Sequence, residues 1–222
     1  MSSAAWLDES MRQRPDRSGI YVLAAAVIQA AEVETVRFDA ARLAPTPRAR
    51  VHYRDATDDE RRKMIQAVAS MTAAVHVVVM GTGMDNSRQE RARRLCMEQM
   101  LWQLDQAGVG HASIETRTAS LNAKDIAAIA QFKRRRIISG RIKIDFVRPY
   151  GPQSDPLLWL PDIVAGAVSS AHGSPWTTAA RSADAHTENV RDRAALTPEH
   201  APGRGPGLPR ESSAPLPTTS AD

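Results

Sequence analysis

Hydrophobic and polar positions along the chain follow two periods, and together they predict an α/β domain with a mixed sheet. Segments in which side chains alternate between apolar and polar, or stay apolar throughout, are typical of strands. Segments in which apolar residues recur every three or four positions are typical of helices. The predicted strands are 5–10, 20–28, 50–55, 74–80, 111–117 and 141–147, and the predicted helices are 31–43, 57–71, 86–106, 122–132 and a closing helix that includes 162–169.

Short-range signals refine several of these elements. Only a short polar loop separates the first two strands, which predicts an antiparallel hairpin. Thr57 and Glu60 have the spacing of a capping box and predict the start of a helix. Asn122 is predicted to cap the helix that follows the strand 111–117. Pro161 either kinks a helix that begins at Asp155 or lies in the first turn of a shorter one.

The last part of the chain differs in composition from the rest. From residue 174 onward, seven of the 14 prolines occur among Ser, Thr, Ala and Gly, with few large apolar residues. Such a segment buries too little surface to offset the entropy lost on ordering. We therefore predict a domain over 1–173 and a disordered tail over 174–222.

Charge and cysteine content restrict the class of protein only mildly. The net charge of +4 permits a polyanionic partner without requiring one. Cys96 is the single cysteine, which excludes an intramolecular disulfide and fits a reducing cytoplasm, and its apolar neighbours predict a buried structural thiol. No signal peptide precedes the first strand, and no apolar run reaches the roughly 20 residues of a membrane span. We expect a cytoplasmic protein with no membrane partner.

Acidic residues occupy three unusual places. Asp8 and Glu9 end an apolar run in the first strand, where side-chain alternation directs them to different faces. Glu115 lies near the end of a later strand. Asp162 is the only charged residue between 157 and 168, and a buried carboxylate requires a partner.

These acids are the candidate ligands of a two-metal carboxylate site. Two divalent ions about 4 Å apart require hard oxygen ligands, one ion activating water and the other stabilising the leaving oxygen. Asp8, Glu115 and Asp162 are the predicted ligands. A structural Asp162 paired with an arginine is the alternative.

Histidine and basic residues supply further candidates. His52 is either a general base or substrate contact, or a hydrogen-bonded structural histidine, and His76 is predicted to be a satisfied structural histidine. Four arginines lie in the first turns of the helix 86–106, and four consecutive cations follow the helix 122–132. Both sets are either solvated helix faces or surfaces that contact phosphates. The residues are Arg88, Arg91, Arg93, Arg94, Lys133, Arg134, Arg135 and Arg136.

Several segments in order resemble one bacterial family. LDES, GIYVLAAAVI, VHYRDATDDERR, RQERARRLCMEQML, IETR and LLWLPDIVAGAVSSA are similar to the actinobacterial branch of the family called domain of unknown function 3800. The resemblance runs from about Trp6 to Gly173. It implies a ribonuclease-H-like fold, with a mixed five-stranded sheet flanked by helices and a carboxylate cluster for Mg²⁺ or Mn²⁺.

The resemblance also implies roles for individual residues. Asp8 and Glu9 match the Asp-Glu motif of the family, and Asp162 matches the aspartate of its closing helix. Met11 stands where the wider family tends to have glycine, and Pro161 where it tends to have alanine.

The leading hypothesis is a metal-dependent phosphodiester hydrolase that acts on nucleic acid. Asp8 and Asp162 would be metal ligands, Glu9 or Glu115 would complete the catalytic site with His52, and the cofactor would be Mg²⁺ or Mn²⁺. The alternative is a catalytically silent nucleic-acid-binding or protein-interaction module on the same fold. No oligomeric state is predicted. The predicted phosphate contacts are Arg88, Arg91, Arg94, Lys133, Arg134 and Arg135.

Overall fold

A mixed sheet of six strands forms the centre of the fold. The computed structural model describes residues 2–13, 18–46, 51–148, 154–173 and 186–189. Within these residues the strands are β1 (Ser3–Gln13), β2 (Ser18–Gln29), β3 (Ala74–Asp85), β4 (Val109–Glu115), β5 (Lys143–Val147) and β6 (His186–Asn189). Their order is β5-β4-β1-β2-β3-β6. β2 is antiparallel to β1 and β3, and the other neighbouring strands are parallel.

Helices cover both faces of this sheet. In the described ranges the helices are α1 (Val33–Ala41), α2 (Asp58–Ser70), α3 (Gln89–Gln106), α4 (Ala119–Arg134) and α5 (Trp159–Gly173). α3 and α4 pack on one face, and α1, α2 and α5 pack on the other. The predicted α/β architecture, a mixed sheet flanked by helices, is confirmed.

The position of β2 follows from its composition. Residues Ile20 to Ile28 are apolar on both sides of the strand, and Leu23 and Ala24 are fully buried. A strand that is apolar on both faces is stable only where helices cover both. β2 accordingly lies between β1 and β3, and the predicted hairpin with β1 is confirmed.

The segment 51–55 is not the predicted strand. Residues Tyr53–Asp55 form a short 3-10 helix. The backbone N–H of Tyr53 donates to the carboxylate of Asp162 rather than to a neighbouring strand. The alternating pattern therefore reflects packing against α5, with Tyr53 buried against Gly166.

Two helix starts were tested by the structure, with different outcomes. Thr57 and Glu60 form the predicted capping box at the start of α2. The prediction for Asn122 is wrong, because α4 begins at Ala119 with Thr118 as its cap. The side chain of Asn122 instead bonds Arg117 N and Thr116 Oγ1 at 2.8 and 2.6 Å, and so braces the loop before the helix.

The closing helix combines features of both predicted forms. A 3-10 turn over Pro156–Leu158 is capped by the side chain of Asp155 and leads directly into α5. Pro161 lies in the first turn of α5, where its missing N–H is tolerated. Cys96 is fully buried in α3, which confirms the structural thiol, and burial raises its pKa to about 12.

The end of α5 at Gly173 coincides with the predicted end of the domain. Residues 174–185 and 190–222 of the predicted disordered tail lie outside the described residues. The tail residues that are described, His186–Asn189, pair in parallel with Val77 to Met80 on β3. This pairing satisfies backbone groups at an edge that the domain leaves open. Among the described residues, no helix has the length and apolar character required to cross a membrane.

Candidate carboxylate site

Asp8 lies in the middle of β1, on the face that α5 covers. It is 8% exposed, and its Oδ1 accepts a hydrogen bond from the backbone N–H of Glu9 at 2.8 Å. β1 and β4 pair in parallel up to Leu7 and Ile114, whose side chains belong to the core under α3 and α4. Because side chains alternate, the next residues, Asp8 and Glu115, point toward the α5 face.

Electrostatics distinguish Asp8 from the other acids. Burial is the main cause that raises the pKa of Asp8 well above its ordinary value, and the negative charges of Glu115, Glu9 and Asp162 raise that pKa further. The hydrogen bond from the backbone of Glu9 opposes this rise with a smaller effect. A carboxylate in such a place is stabilised by a proton or by a nearby cation.

Asp162 joins α5 to the segment before α2. Its Oδ1 lies 3.0 Å from Nδ1 of His52, and its Oδ2 accepts the backbone N–H of Tyr53 at 2.8 Å. Gly166, one helical turn later, permits the ring of Tyr53 to lie directly on α5. The partners of Asp162 are thus a histidine and a backbone amide, rather than the arginine considered as its alternative.

Glu9 lies on the opposite face from Asp8 and is not part of this group. Its Oε2 forms an ion pair with Nη1 of Arg93. Arg93 is 1% exposed and also binds Asp125, with Nε at 3.1 Å from both carboxylate oxygens and Nη2 at 2.9 Å from Oδ2. Of the two acids predicted to complete the site, Glu115 is therefore the one that the structure places with Asp8.

Arg93 is the centre of a buried charge network that the sequence analysis missed. Arg117 binds Asp125 at 2.9 Å and Glu90 at 2.7 Å, and Arg93 Nη1 donates to the hydroxyl of Tyr21 at 3.3 Å. Arg93 was grouped with a solvated basic face, which is wrong. The signal against that grouping is its helical spacing, since Arg93 is three, four and seven residues before the buried Cys96, Met97 and Met100.

The predicted phosphate contacts separate into two groups. Arg88 and Arg91 are exposed around the start of α3. Lys133 and Arg134 end α4, and Arg135 is its C-cap; the 16 residues of α4 begin four residues after β4 ends at Glu115. At 1.5 Å per residue the helix is about 24 Å long, so these cations lie at the far end of the sheet from Glu115.

Two of these cations already have partners. Arg94 Nη2 donates to Gln131 at 2.5 Å, and Lys133 Nζ donates to the carbonyl of Ile142 at 3.2 Å. The structure therefore does not join the six predicted contacts into one surface around Asp8.

The carboxylates do not form a closed metal-binding group. Within the residues that the structure describes, no three His, Cys, Asp or Glu side chains are arranged to hold a metal ion. Asp8, Glu115 and Asp162 act on one another electrostatically, while the oxygens of Asp162 bond His52 and Tyr53. The arrangement concentrates negative charge at Asp8 and holds His52 in a fixed orientation.

Comparison with known proteins gives no relative by sequence. No protein-family model matches the chain, and no curated protein matches it. The resemblance to the domain of unknown function 3800 family therefore stays a prediction.

Three of the solved structures that align with this chain are ribonucleases H. Bst-RNase HIII in complex with Mn²⁺ aligns at 13% identity and a TM-score of 0.45, over 76% of this chain and 52% of that chain. The ribonuclease H2 from Pyrococcus horikoshii OT3 aligns at 10% identity and a TM-score of 0.45, over 76% and 72%. The RNase HII of the PCNA:RNase HII complex from Archaeoglobus fulgidus aligns at 10% identity and a TM-score of 0.44, over 87% and 86%. The chain thus spans about half the length of the Bst-RNase HIII chain, and likeness at this identity assigns no role to any of its residues.

Proposed function

We propose that the protein is a divalent-metal-dependent phosphodiester hydrolase that acts on nucleic acid, with Asp8 at its catalytic centre. The observation that carries this proposal is the environment of Asp8. A buried carboxylate lies near Glu115 and Asp162, and the negative charges of these two acids, and of Glu9 on the opposite face of β1, all raise its pKa. Membership of the domain of unknown function 3800 family and a cytoplasmic location belong to the same proposal.

A divalent cation fits the chemistry of this site. Mg²⁺ and Mn²⁺ prefer carboxylate oxygens, and a cation beside Asp8 would offset the repulsion that raises its pKa. Asp8 and Glu115 would hold the ion, with Asp162 as the third predicted ligand. When bound, such an ion supplies Lewis acidity toward a phosphate and makes a water molecule more acidic.

The protein's own residues would orient and transfer the proton. Asp162 fixes His52 through the 3.0 Å contact at Nδ1. A carboxylate in this position sets the tautomer of the ring and stabilises its protonated form. His52 would thus act as the general base or acid, and Asp162 would be its positioning residue.

Thermal melts with and without metal test the cation site. We expect Mn²⁺ or Mg²⁺ at millimolar concentration to raise the midpoint of the native protein relative to chelator, because a ligand that binds only the folded state stabilises it. The rise should disappear in Asp8→Asn and shrink in Asp162→Ala. Asp145→Asn is the control, since Asp145 is an exposed acid on β5, 69% exposed at the side chain. A metal-dependent rise that is the same in Asp8→Asn and the native protein contradicts the proposal.

A catalytically silent module is the second candidate, and one observation favours it. Asp162 serves a structural purpose as it stands, and the described acids make no three-ligand group. Hydrolysis of labelled DNA and RNA with Mn²⁺ separates the two functions. Turnover that is lost in Asp8→Asn, in a variant that folds normally, supports the enzyme. Binding of nucleic acid without turnover in the native protein supports the module.

A further inference from the structure

A group of exposed cations lies where α4 ends and β5 begins. The group consists of Arg134, Arg135, Arg136, Arg141 and Lys143, and we call it the α4–β5 basic surface. No acid occurs between residues 134 and 143. All five side chains are exposed, and none forms an ion pair or side-chain hydrogen bond with another described residue.

The neighbouring acids make their contacts with other residues and form no ion pair with the five cations, in the part of the chain that is described. Asp105, at the end of α3, accepts hydrogen bonds from Ser139 N and Oγ at 2.7 and 2.5 Å. Asp145 lies 2.7 Å from Nε2 of His111. The surface is therefore a concentration of positive charge held on the ends of two regular elements.

Arg136 occupies a backbone position that normally favours glycine. Its φ is 57°, and it is the one non-glycine residue with a positive φ in the part of the chain that is described. Arg136 N donates to the carbonyl of Lys133 and Ile137 N donates to that of Phe132, both at 3.0 Å. These two bonds define a Schellman motif, whose left-handed position is usually glycine because a Cβ is strained there. A strained position that carries a charged side chain points to a use for that charge.

The distance to the carboxylate site is set by the register of the sheet. Lys143 pairs with His111, and Val147 pairs with Glu115. Four residues of parallel strand separate the two levels, which is about 13 Å. An extended polyanion lying on the α4–β5 basic surface could thus reach the carboxylate site along the β5 edge.

We propose that the α4–β5 basic surface binds the phosphate backbone of nucleic acid at the end of the sheet opposite the carboxylate site, from which the backbone follows the β5 edge toward Glu115. Four of its five members are arginines, whose planar guanidinium groups match phosphate geometry. Contacts of this kind position a nucleic acid without reading its sequence. The inference deepens the proposed function by assigning where the backbone is held. Compared with the four cations that follow the predicted helix 122–132, the surface adds Arg141 and Lys143 and leaves out Lys133, whose ammonium donates to the carbonyl of Ile142.

Arg136→Gly gives a sharp test, because stability and binding should change in opposite directions. Glycine relieves the positive φ, so the melting temperature should stay the same or rise. Affinity for fluorescein-labelled duplex DNA and single-stranded RNA, measured by anisotropy in excess chelator, should fall about 5- to 10-fold near 0.1 M salt. The slope of log affinity against log salt should become shallower by about 0.9 for the duplex and about 0.7 for the single strand, as expected for one lost phosphate contact. Arg136→Lys keeps the charge and should bind nearly as well as the native chain.

Two further variants keep the test decisive. The double variant Arg134→Gln with Arg135→Gln removes charge without touching the strained position, and it should weaken binding more than Arg136→Gly does. Arg42→Gln removes an exposed charge from α1 on the other side of the sheet and should leave affinity unchanged.

Several outcomes would overturn the inference. Native affinity in both Arg136→Gly and the double variant shows that the surface is not used. An equal loss in Arg42→Gln shows a general effect of net charge. Binding to anionic lipid vesicles but to neither nucleic acid assigns the surface to a membrane. Because chelator is present, binding can succeed where hydrolysis fails, so this inference and the proposed function are judged separately.

Discussion

Asp8 and Glu9 are consecutive residues of β1, yet their carboxylates lie on opposite faces of the sheet. Glu9 forms an ion pair with the buried Arg93, whereas Asp8 lies on the α5 side, in the negative field of Glu115 and Asp162. The same functional group, one position apart, is stabilised in one case and destabilised in the other. Glu9 has the guanidinium of Arg93 as its partner, whereas Asp8 is buried beside negative charges, and this explains the difference.

Replacing Asp8 should stabilise the folded protein at neutral pH. The folded-state pKa of Asp8 is raised. Its contribution to the free energy of unfolding is therefore fully present below the unfolded-state pKa of 3.8 and is lost as pH rises through the folded-state pKa. Asp8→Asn removes the buried charge and keeps an oxygen to accept the N–H of Glu9. Thermal melts without metal should show a higher midpoint at pH 7, by about 2 to 4 °C for each kcal/mol gained. The gain should vanish as pH falls toward 4.

Glu9→Gln is the matched control for that prediction. It removes a charge from the adjacent residue but leaves Arg93 with one acid fewer, so it should lower the midpoint. If both variants shift the midpoint in the same direction, the two carboxylates do not differ in the way that the structure indicates.

Removing Arg93 should be the most destabilising charge change on the α3 side. The buried Asp125 and the half-buried Glu9 would lose their shared partner, and breaking a buried pair typically costs about 3 to 5 kcal/mol. Arg93→Met, of similar length, should show this loss in urea unfolding. Arg94→Met, the next residue, removes an exposed side chain bonded to Gln131 and should cost less than about 1 kcal/mol. Similar losses in the two variants would show that the Arg93 network adds little.

His76 should make stability depend on pH. Neither buried ring nitrogen has a hydrogen-bond partner among the residues that the structure describes, so the predicted satisfied histidine is wrong there, and burial lowers its pKa from 6.5 to about 4. The neutral ring is stabilised in the folded state, so this stability is present above pH 6.5 and is lost as pH falls toward 4. His76→Leu should be more stable than the native protein, and its advantage should grow by up to about 1.4 kcal/mol per pH unit over that interval. An advantage that is constant from pH 7 to pH 4 contradicts the prediction.

Gly166 should not tolerate alanine, although alanine usually stabilises a helix. A Cβ at this position would lie 2.7 Å from Cγ of Tyr53. Gly166→Ala should therefore lower stability by about 1 to 3 kcal/mol through displacement of the 51–55 segment. Gly140→Ala is the control, because nothing lies within 4 Å of a Cβ there. Adding Tyr53→Ala should make the change at Gly166 nearly neutral, and a double-mutant cycle without coupling would contradict this reading.

Much of the fold was predictable because its signals are local. The apolar run of β2, the capping box at Thr57 and the periodicity of α3 act over a few residues. The strand predicted over 50–55 was wrong because the alternation of apolar and polar residues there comes from contacts with α5, more than 100 residues later. The prediction for Arg93 was wrong because one helix can carry exposed and buried arginines side by side. Its spacing to Cys96 and Met97 indicates the buried position, but its partners Glu9 and Asp125 come from β1 and α4, which no local pattern identifies.

The sequence by itself determined the order of β1 to β5 and α1 to α5 and the opposite orientation of Asp8 and Glu9, since local periodicity and side-chain alternation set both. The tertiary structure decided which charges meet. Parallel pairing of β1 with β4 places Glu115 near Asp8. The packing of α5 brings Asp162 within hydrogen-bond distance of His52. The length of α4 places its C-terminal cations at the far end of the sheet. These relationships depend on register and packing between distant segments, and no local pattern encodes them.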